Sequence, residues 1–466
     1  MIKRHVEYAI IGAGTAGLGA YSRISRHSDS VVMIQDGPYG TTCARVGCMP
    51  SKLLITASDY AHHAETGGFF GVTATHSVSG QRVFERLRDE RDNKFVARNL
   101  SYVAKIPAHH KMEGRAQFVA PGHLKVGDKA EIFAEKVILA VGSRPYIPAV
   151  FDPVSTYIHT SDTIFEIDNL PQSIAVIGLG VIGLELGQAM HRLGVKTILF
   201  GRSGNVGTLT HPSLKSLASE LFASDVPMYP AGSVERTWVD NGAWMAYRTA
   251  EGELVEEVFD MILVASGRVS NIDKMNLPAA GISVDTIRDA HDPHTLRYAD
   301  HPVFVAGDAT DSLPLWHEAF DEGRHAAENA MQFPHANKAK RRTPLFICFT
   351  DPQMALVGLS YEELLHRNIV VGDLPFEASP RHVVWNKTQG RMHVYLEAET
   401  GEILGSEILG HHAEHLAHIL ALAITHKMTA AQVLEMPIYH PSAEELLRDV
   451  LESAERKRQS KLTRRK

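Results

Sequence analysis

Short apolar runs recur along this chain, and many of them end on glycine. Tyr8-Ala9-Ile10-Ile11 runs into Gly12-Ala13-Gly14-Thr15-Ala16-Gly17, and Ser173-Ile174-Ala175-Val176-Ile177 runs into Gly178-Leu179-Gly180-Val181-Ile182-Gly183. An apolar run bounded by glycine predicts a buried strand. A G-x-G-x-x-G loop between a strand and a helix is the pattern of a dinucleotide-binding βαβ unit. One match is weak; two, each with a strand before and a helix after, predict two Rossmann-type domains. The glycines let the backbone approach a pyrophosphate, and the helix N-terminus offers unpaired N–H groups and a positive dipole end. Three further strands end in the same way: Val137 to Gly142, Met261 to Gly267, and Val303 to Gly307-Asp308. Asp308, at a strand tip, can accept a hydrogen bond from a cofactor hydroxyl or cap a helix.

In such units the second strand ends about 20 residues past the first glycine and faces the adenosine ribose. That position falls on Gln35, followed by Asp36, in the first copy and on Gly201, followed by Arg202, in the second. Gln35 or Asp36 can bond a ribose hydroxyl. The second copy lacks the acid that marks NAD and offers an arginine, which suits a 2′-phosphate. Gly183 as third glycine points back toward NAD, so the two signals oppose each other.

Cysteine usage adds chemistry to this frame. Only three cysteines occur in 466 residues, and Cys43 and Cys48 are five apart, about thirty residues past the first glycine loop. On an ideal helix such positions lie about 8–9 Å apart at Cα, whereas a disulfide needs roughly 4.4–6.8 Å. Closure therefore requires a distorted helix start, which Gly47 permits. A disulfide closing so small a loop adds little stability, so the pair reads as a reversible dithiol; the alternative is two unlinked buried thiols. Cys348, inside Leu345-Phe346-Ile347-Cys348-Phe349, reads as a core thiol.

Bulk properties narrow the partners. Net charge is −7 with no broad basic field, so nucleic acid is not expected. No apolar run approaches the roughly 18 residues of a membrane helix. The first strand starts too near the N-terminus for a signal peptide, and a reducing, cytoplasmic setting is expected. The basic stretch from Arg456 to Lys466 reads as a solvated, frayed end. His411, His412, His415 and His418 have spacings that could share a helix face. Nothing completes a metal set there, so packing is the expectation and no metal is expected.

Together these segments resemble the class I pyridine nucleotide–disulfide oxidoreductases, most closely the dihydrolipoamide dehydrogenase branch. The resemblance spans essentially the whole chain. It rests on the two glycine loops, the Cys43–Cys48 block through Lys52, Glu185, Gly307-Asp308, Leu315-Trp316-His317-Glu318-Ala319, Phe349-Thr350-Asp351-Pro352, and Tyr439-His440-Pro441 with Glu445. It implies an α/β chain with two Rossmann-like nucleotide-binding domains, a central domain and a C-terminal α+β dimerisation domain. The implied bounds are 1–147 for FAD and the redox disulfide, 148–271 for NAD(P), 272–343 for the central domain and 344–466 for dimerisation.

The resemblance further implies a homodimer acting on a small dithiol or disulfide, or on a lipoyl-carrier protein. FAD would sit on Gly12, Gly14 and Gly17 with Gln35, Asp36, Lys52, Gly142 and Asp308 nearby. The nicotinamide nucleotide would use Gly178, Gly180, Gly183, Arg202 and Gly267. Lys52 and Glu185 match an ion pair beside the flavin. His440, oriented by Glu445, would serve the disulfide of the other subunit. Arg45, where the family usually has asparagine, could stabilise a thiolate or favour an acidic substrate. Two alternatives stay open: an NADPH-dependent reductase resembling glutathione reductase, and a low-turnover flavoprotein sensor or scaffold. The lack of a C-terminal cysteine pair argues against a mercuric reductase.

Overall fold

The structure, a computed structural model, describes residues 2–282, 291–310 and 312–464. The chain divides into two units: residues 1–53, 84–146 and 267–341 form the first, and residues 54–83, 147–266 and 342–466 form the second.

The first unit is built on a seven-stranded sheet. Strand Ile2–Ile11 lies parallel to Val31–Gln35 on one side and to Ala130–Leu139 on the other. Lys111–Glu113 extends the first edge, Val303–Val305 pairs with Ala130–Leu139, and the antiparallel strands His123–Val126 and Ala116–Ala120 extend the other side. The first strand is longer than its apolar run suggests. Its leading residues, Ile2 to His5, are largely exposed and pair with Ala130 to Phe133, so the backbone ladder carries them where side-chain burial does not.

Both faces of this sheet are covered, as parallel strands require. Tyr8, Ile10, Val31 and Met33 point to one face with Ala16, Ala20, Ala326 and Ala327. Ala9, Ile11, Val32 and Ile34 point to the other with Phe118, Leu124 and Ile272. The alanines belong to helices Thr15–Ile24 and Trp316–Gln332, which approach closely because small residues line their contact. A Cβ at Gly19 would sit 2.6 Å from the Phe320 carbonyl oxygen.

The second unit holds a parallel sheet in the order Met228–Tyr229, Lys196–Phe200, Ser173–Ile177, Met261–Val264, Ile158–His159. An antiparallel meander of Ser233–Val239, Ala243–Arg248 and Leu254–Phe259 contributes Tyr247 and Phe259 to a core shared with Phe200 and Phe151. A further five-stranded antiparallel sheet, from Leu345–Cys348 to Ile403–Gly410, is covered by helices Ala413–Thr425 and Glu445–Thr463. Each fully buried leucine or isoleucine there contributes about 1.5–3 kcal/mol.

The basic C-terminal stretch is not frayed through Thr463; it completes the last helix. Lys457 and Lys461 donate to the carbonyls of Val371 and Ile369, and Arg458 pairs with Glu455 at 2.7 Å. Residues 465 and 466 of that expectation lie outside the described residues.

Candidate functional site

The two glycine loops have the same backbone. Gly12 has φ of +106° and Gly178 has +118°, values that L residues with side chains rarely adopt. A Cβ at either would overlap a carbonyl of the neighbouring strand, Ala140 or Ala265. Gly17 and Gly183 have no room because the first glycine's own carbonyl faces them. Gly14 and Gly180 differ: nothing lies within 4 Å of their missing Cβ. Each is the N-cap of the following helix, Thr15–Ile24 or Val181–Arg192, and neither offers a capping side chain. Open space before uncapped N–H groups is what a pyrophosphate needs, so the residues fit a dinucleotide at both places.

In the first unit this space is a cleft lined by Gly12, Gly14, Gln35, Asp36, Gly142 and Arg45, among others. The Gln35 carboxamide is committed to the protein: its Oε1 accepts the Ala13 N–H at 2.6 Å, and its Nε2 donates to the carbonyls of Asp36 and Pro38. Asp36 pairs with Arg115 at 3.1 Å. Gly142, with φ of +65°, is held by Asn271, which bonds the carbonyls of both Val141 and Gly142. Asp308 accepts from Ser143 Oγ at 3.0 Å, and the Gly307 N–H donates to buried Glu322 at 2.7 Å. Arg45 lines this same cleft, although in sequence it lies between the cysteines. Arg115 and Lys274 also line it and carry no sequence motif. Strand order alone brings them there.

The cysteine segment is two helices, not one. Thr42–Arg45, capped by Thr41, ends before a second helix opens at Cys48. At the break, a Cβ on Gly47 would lie 3.2 Å from Cys43 Cα, so the chain folds back on the first cysteine. Cys43 and Cys48 are both thiols, Cys43 half-buried and Cys48 exposed, and their side chains hydrogen-bond. Contact with Cys48, then burial, pushes the Cys43 thiol well above the usual range; Lys52 acts in the opposite direction. The two thiols are coupled, so they lose their protons in two steps that belong to the pair.

In the second unit, Gly201 ends strand Lys196–Phe200 at the ribose position. A Cβ there would sit 2.6 Å from the Pro230 oxygen and 2.7 Å from Leu179 Cδ1. The missing acid is thus a missing space. Arg202, the next residue, is exposed. Gly267, which falls in the first unit, has φ of +115° with open space around it. Glu185, 4% exposed on Val181–Arg192, accepts the Phe349 N–H at 2.9 Å.

His440 Nδ1 is 3.0 Å from Glu445 Oε1. Glu445 opens the last helix, is 3% exposed, and also accepts the Ser442 N–H. The hydrogen bond from His440 holds its carboxyl below the usual range. The imidazole is 71% exposed, so Nε2 stands toward solvent. Such an arrangement can serve as a base with an orienting acid. Cys348 is buried, as expected.

The histidines at 411–418 do not share a helix face. The helix starts only at Ala413, with His412 left-handed at φ of 60° before it. His411 and His412 instead pack against Trp385 at 5.5 and 5.1 Å between ring centroids. Burial lowers His411 to about 4.

Residues 6–323 match the family model of the pyridine nucleotide-disulphide oxidoreductases, and residues 346–451 match that family's dimerisation domain. The chain belongs to this family: it is an FAD-dependent pyridine nucleotide–disulfide oxidoreductase, and the dimerisation domain supports a homodimer. Among its relatives is a dihydrolipoyl dehydrogenase of Halobacterium salinarum, 30% identical over 97% of both chains. A mercuric reductase of Lysinibacillus sphaericus is 28% identical over 91% of this chain and 78% of its own. Solved structures of similar fold include LpdA of Mycobacterium tuberculosis, with a TM-score of 0.81 and 21% identity over 97% of this chain and 99% of its own. The HOCl-induced flavoprotein disulfide reductase RclA of Escherichia coli has a TM-score of 0.80 and 20% identity over 96% of this chain and 99% of its own. Among the described residues no helix is long and apolar enough to cross a membrane.

Proposed function

We propose that the protein is a dihydrolipoyl dehydrogenase-type enzyme, oxidising a dihydrolipoyl-like dithiol and reducing NAD. The observation that carries the reading is the Cys43–Cys48 contact at the break between two helices, in the unit that holds the first glycine loop. In the oxidised enzyme, His440 of the partner subunit takes a proton from the substrate dithiol at Nε2, and Glu445 steadies the imidazolium. The substrate thiolate attacks Cys43, breaking the Cys43–Cys48 bond and leaving Cys48 as thiolate. The second substrate thiol then displaces Cys43, so substrate leaves as disulfide and the enzyme holds two electrons on its dithiol. Bound FAD, held on the Gly12–Gly17 loop, supplies the electron transfer from that dithiol to the nicotinamide.

A second reading, an NADPH-dependent disulfide reductase, is favoured by one observation: Gly201 has no room for an acid and Arg202 is exposed beside it. A mercuric reductase is disfavoured because the only cysteine beyond the pair is Cys348, which is buried.

Steady-state rates with dihydrolipoamide and NAD or NADP, and with glutathione disulfide and NADH or NADPH, separate these readings. Dihydrolipoamide with NAD is expected to be fastest; glutathione disulfide with NADPH fastest would replace the first reading by the second. Cys48→Ser should abolish dithiol turnover, and His440→Gln should slow it about 10²–10⁴-fold. Full turnover in Cys48→Ser would sink both readings.

A further inference from the structure

We propose that Asp29, His109 and His110 form a binding site for a divalent transition ion, with zinc the best-fitting case. The residues come from two turns some eighty positions apart. Asp29 precedes strand Val31–Gln35, and His109 and His110 end the 3-10 turn Ala108–His110 ahead of strand Lys111–Glu113. Those strands are parallel neighbours, so their starts bring the two turns together. Asp29 Oδ1 is 2.9 Å from His110 Nε2 and 3.4 Å from His109 Nε2, and all three atoms lie within 4.8 Å of one another. Donors around a tetrahedral zinc at about 2.0–2.1 Å lie about 3.3 Å apart. Two sides of the triangle are near that length, and the third is no longer than 4.8 Å.

A second observation concerns how His110 is held. It is 3% exposed, and its Nδ1 is 2.8 Å from the hydroxyl of Tyr21, which is 5% exposed. That hydroxyl also meets the Ser25 side chain. With the proton on Nδ1, the imidazole donates to Tyr21, Tyr21 donates to Ser25, and Nε2 turns a lone pair toward Asp29. Two oxygens of Asp29, the carbonyl at 3.1 Å and Oδ1 at 2.9 Å, face that lone pair. A cation satisfies three such acceptors. Without one, the other tautomer donates its Nε2 proton to Asp29, so loading the ion moves a proton within the ring and releases none from it. A hydrogen bond on the far ring nitrogen is how metal-bound histidines are commonly oriented.

The surroundings agree. Asp29 offers both its carboxylate and its backbone carbonyl on the side that faces His110. The Arg4 guanidinium beside the site is engaged by the carbonyls of His109 and Val31. Asp29 and His109 are exposed, which leaves a fourth position to water. Two imidazoles and one carboxylate suit zinc, copper or nickel better than calcium or magnesium. The site lies at the N-terminal ends of parallel strands, and the first glycine loop lies at a C-terminal end. The ion would brace the sheet edge and take no part in the redox chemistry.

Equilibrium dialysis against zinc chloride tests this on flavin-loaded protein carrying Cys43→Ser and Cys48→Ser, so that thiols do not compete. Added to that background, His109→Ala and Asp29→Asn are each expected to lose one bound zinc, while His415→Ala loses none. Cobalt in place of zinc is expected to give the visible absorption of a four-coordinate site, absent from the same two variants. Equal stoichiometry in every variant, or loss only in His415→Ala, overturns the proposal.

Discussion

At Gly12 and Gly178 the chain makes the same turn twice, and each glycine N–H donates to the neighbouring strand at 2.7 Å, to Ile34 in one loop and Phe200 in the other. Five residues on, Gly17 and Gly183 close against the same carbonyl. The loops diverge only past the second strand. In the first, the Gln35 side chain folds back and bonds the loop at Ala13. In the second, Leu179, the residue equivalent to Ala13, lies over Gly201 and leaves no volume for a side chain. The backbone carries the part of the site that every dinucleotide needs. The side chains that differ, Gln35 in one loop and Leu179 over Gly201 in the other, lie at the end of the second strand, where the ribose is expected.

The largest expected effect comes from breaking the shared backbone. Gly12→Ala and Gly178→Ala both force a Cβ into a carbonyl at positive φ, a strain of more than about 3 kcal/mol. Gly12→Ala should yield protein without visible flavin absorbance. Gly178→Ala should keep its flavin and lose reduction by NAD(P)H at least about a hundredfold. If both variants lost the same nucleotide, the assignment of one loop to each would fail.

Acid should separate the regions next. His393, 1% exposed in the second unit, is lowered by burial, and further by His211, from 6.5 to about 4. Between those values the unfolded chain takes up a proton that the folded chain refuses. The contribution is therefore complete above pH 6.5 and lost as pH falls toward 4, a change of about 3 kcal/mol. His211 caps helix Pro212–Asp225 of the second nucleotide fold, so nicotinamide binding should weaken before flavin is lost. Denaturant titrations should show His393→Gln flattening this slope; an unchanged slope would assign the acid sensitivity elsewhere.

Gln35→Leu sharpens the divergence itself. It leaves the Ala13 N–H without its partner, at about 1–3 kcal/mol, and should appear as faster flavin release on dilution. Arg202→Ala is the smallest change. It should lower kcat/KM for NADPH about tenfold, near 1.4 kcal/mol, and leave NADH unchanged. Equal losses with both nucleotides would show that Arg202 does not read the phosphate.

What was legible in the sequence was what the backbone dictates. Both glycine loops, the strands before them and the His440–Glu445 pair are local patterns, and local spacing positions them. The cysteine block was legible as chemistry but not as shape, because the break at Gly47 depends on the chain folding back onto Cys43. Arg45 points into the nucleotide cleft, and its place between the cysteines suggested the thiols instead. The commitment of Gln35 to Ala13, and the approach of His109 and His110 to Asp29, join residues 22 to 81 positions apart. No local pattern encodes contacts of that kind; strand order does. The packing expected of the 411–418 histidines is seen where His411 and His412 lie against Trp385; the shared helix face is not, because the helix begins two residues past the first of them.

The crowding at Gly201 has a consequence for how this protein can change over evolutionary time. Acquiring an acid at that position is a simple way for a dinucleotide fold to commit to NAD. Here any such replacement meets the Pro230 carbonyl and Leu179 together, so no single codon change there yields a fit side chain. Under the role proposed for Arg202, that exposed residue is the nearer position at which nucleotide preference can change.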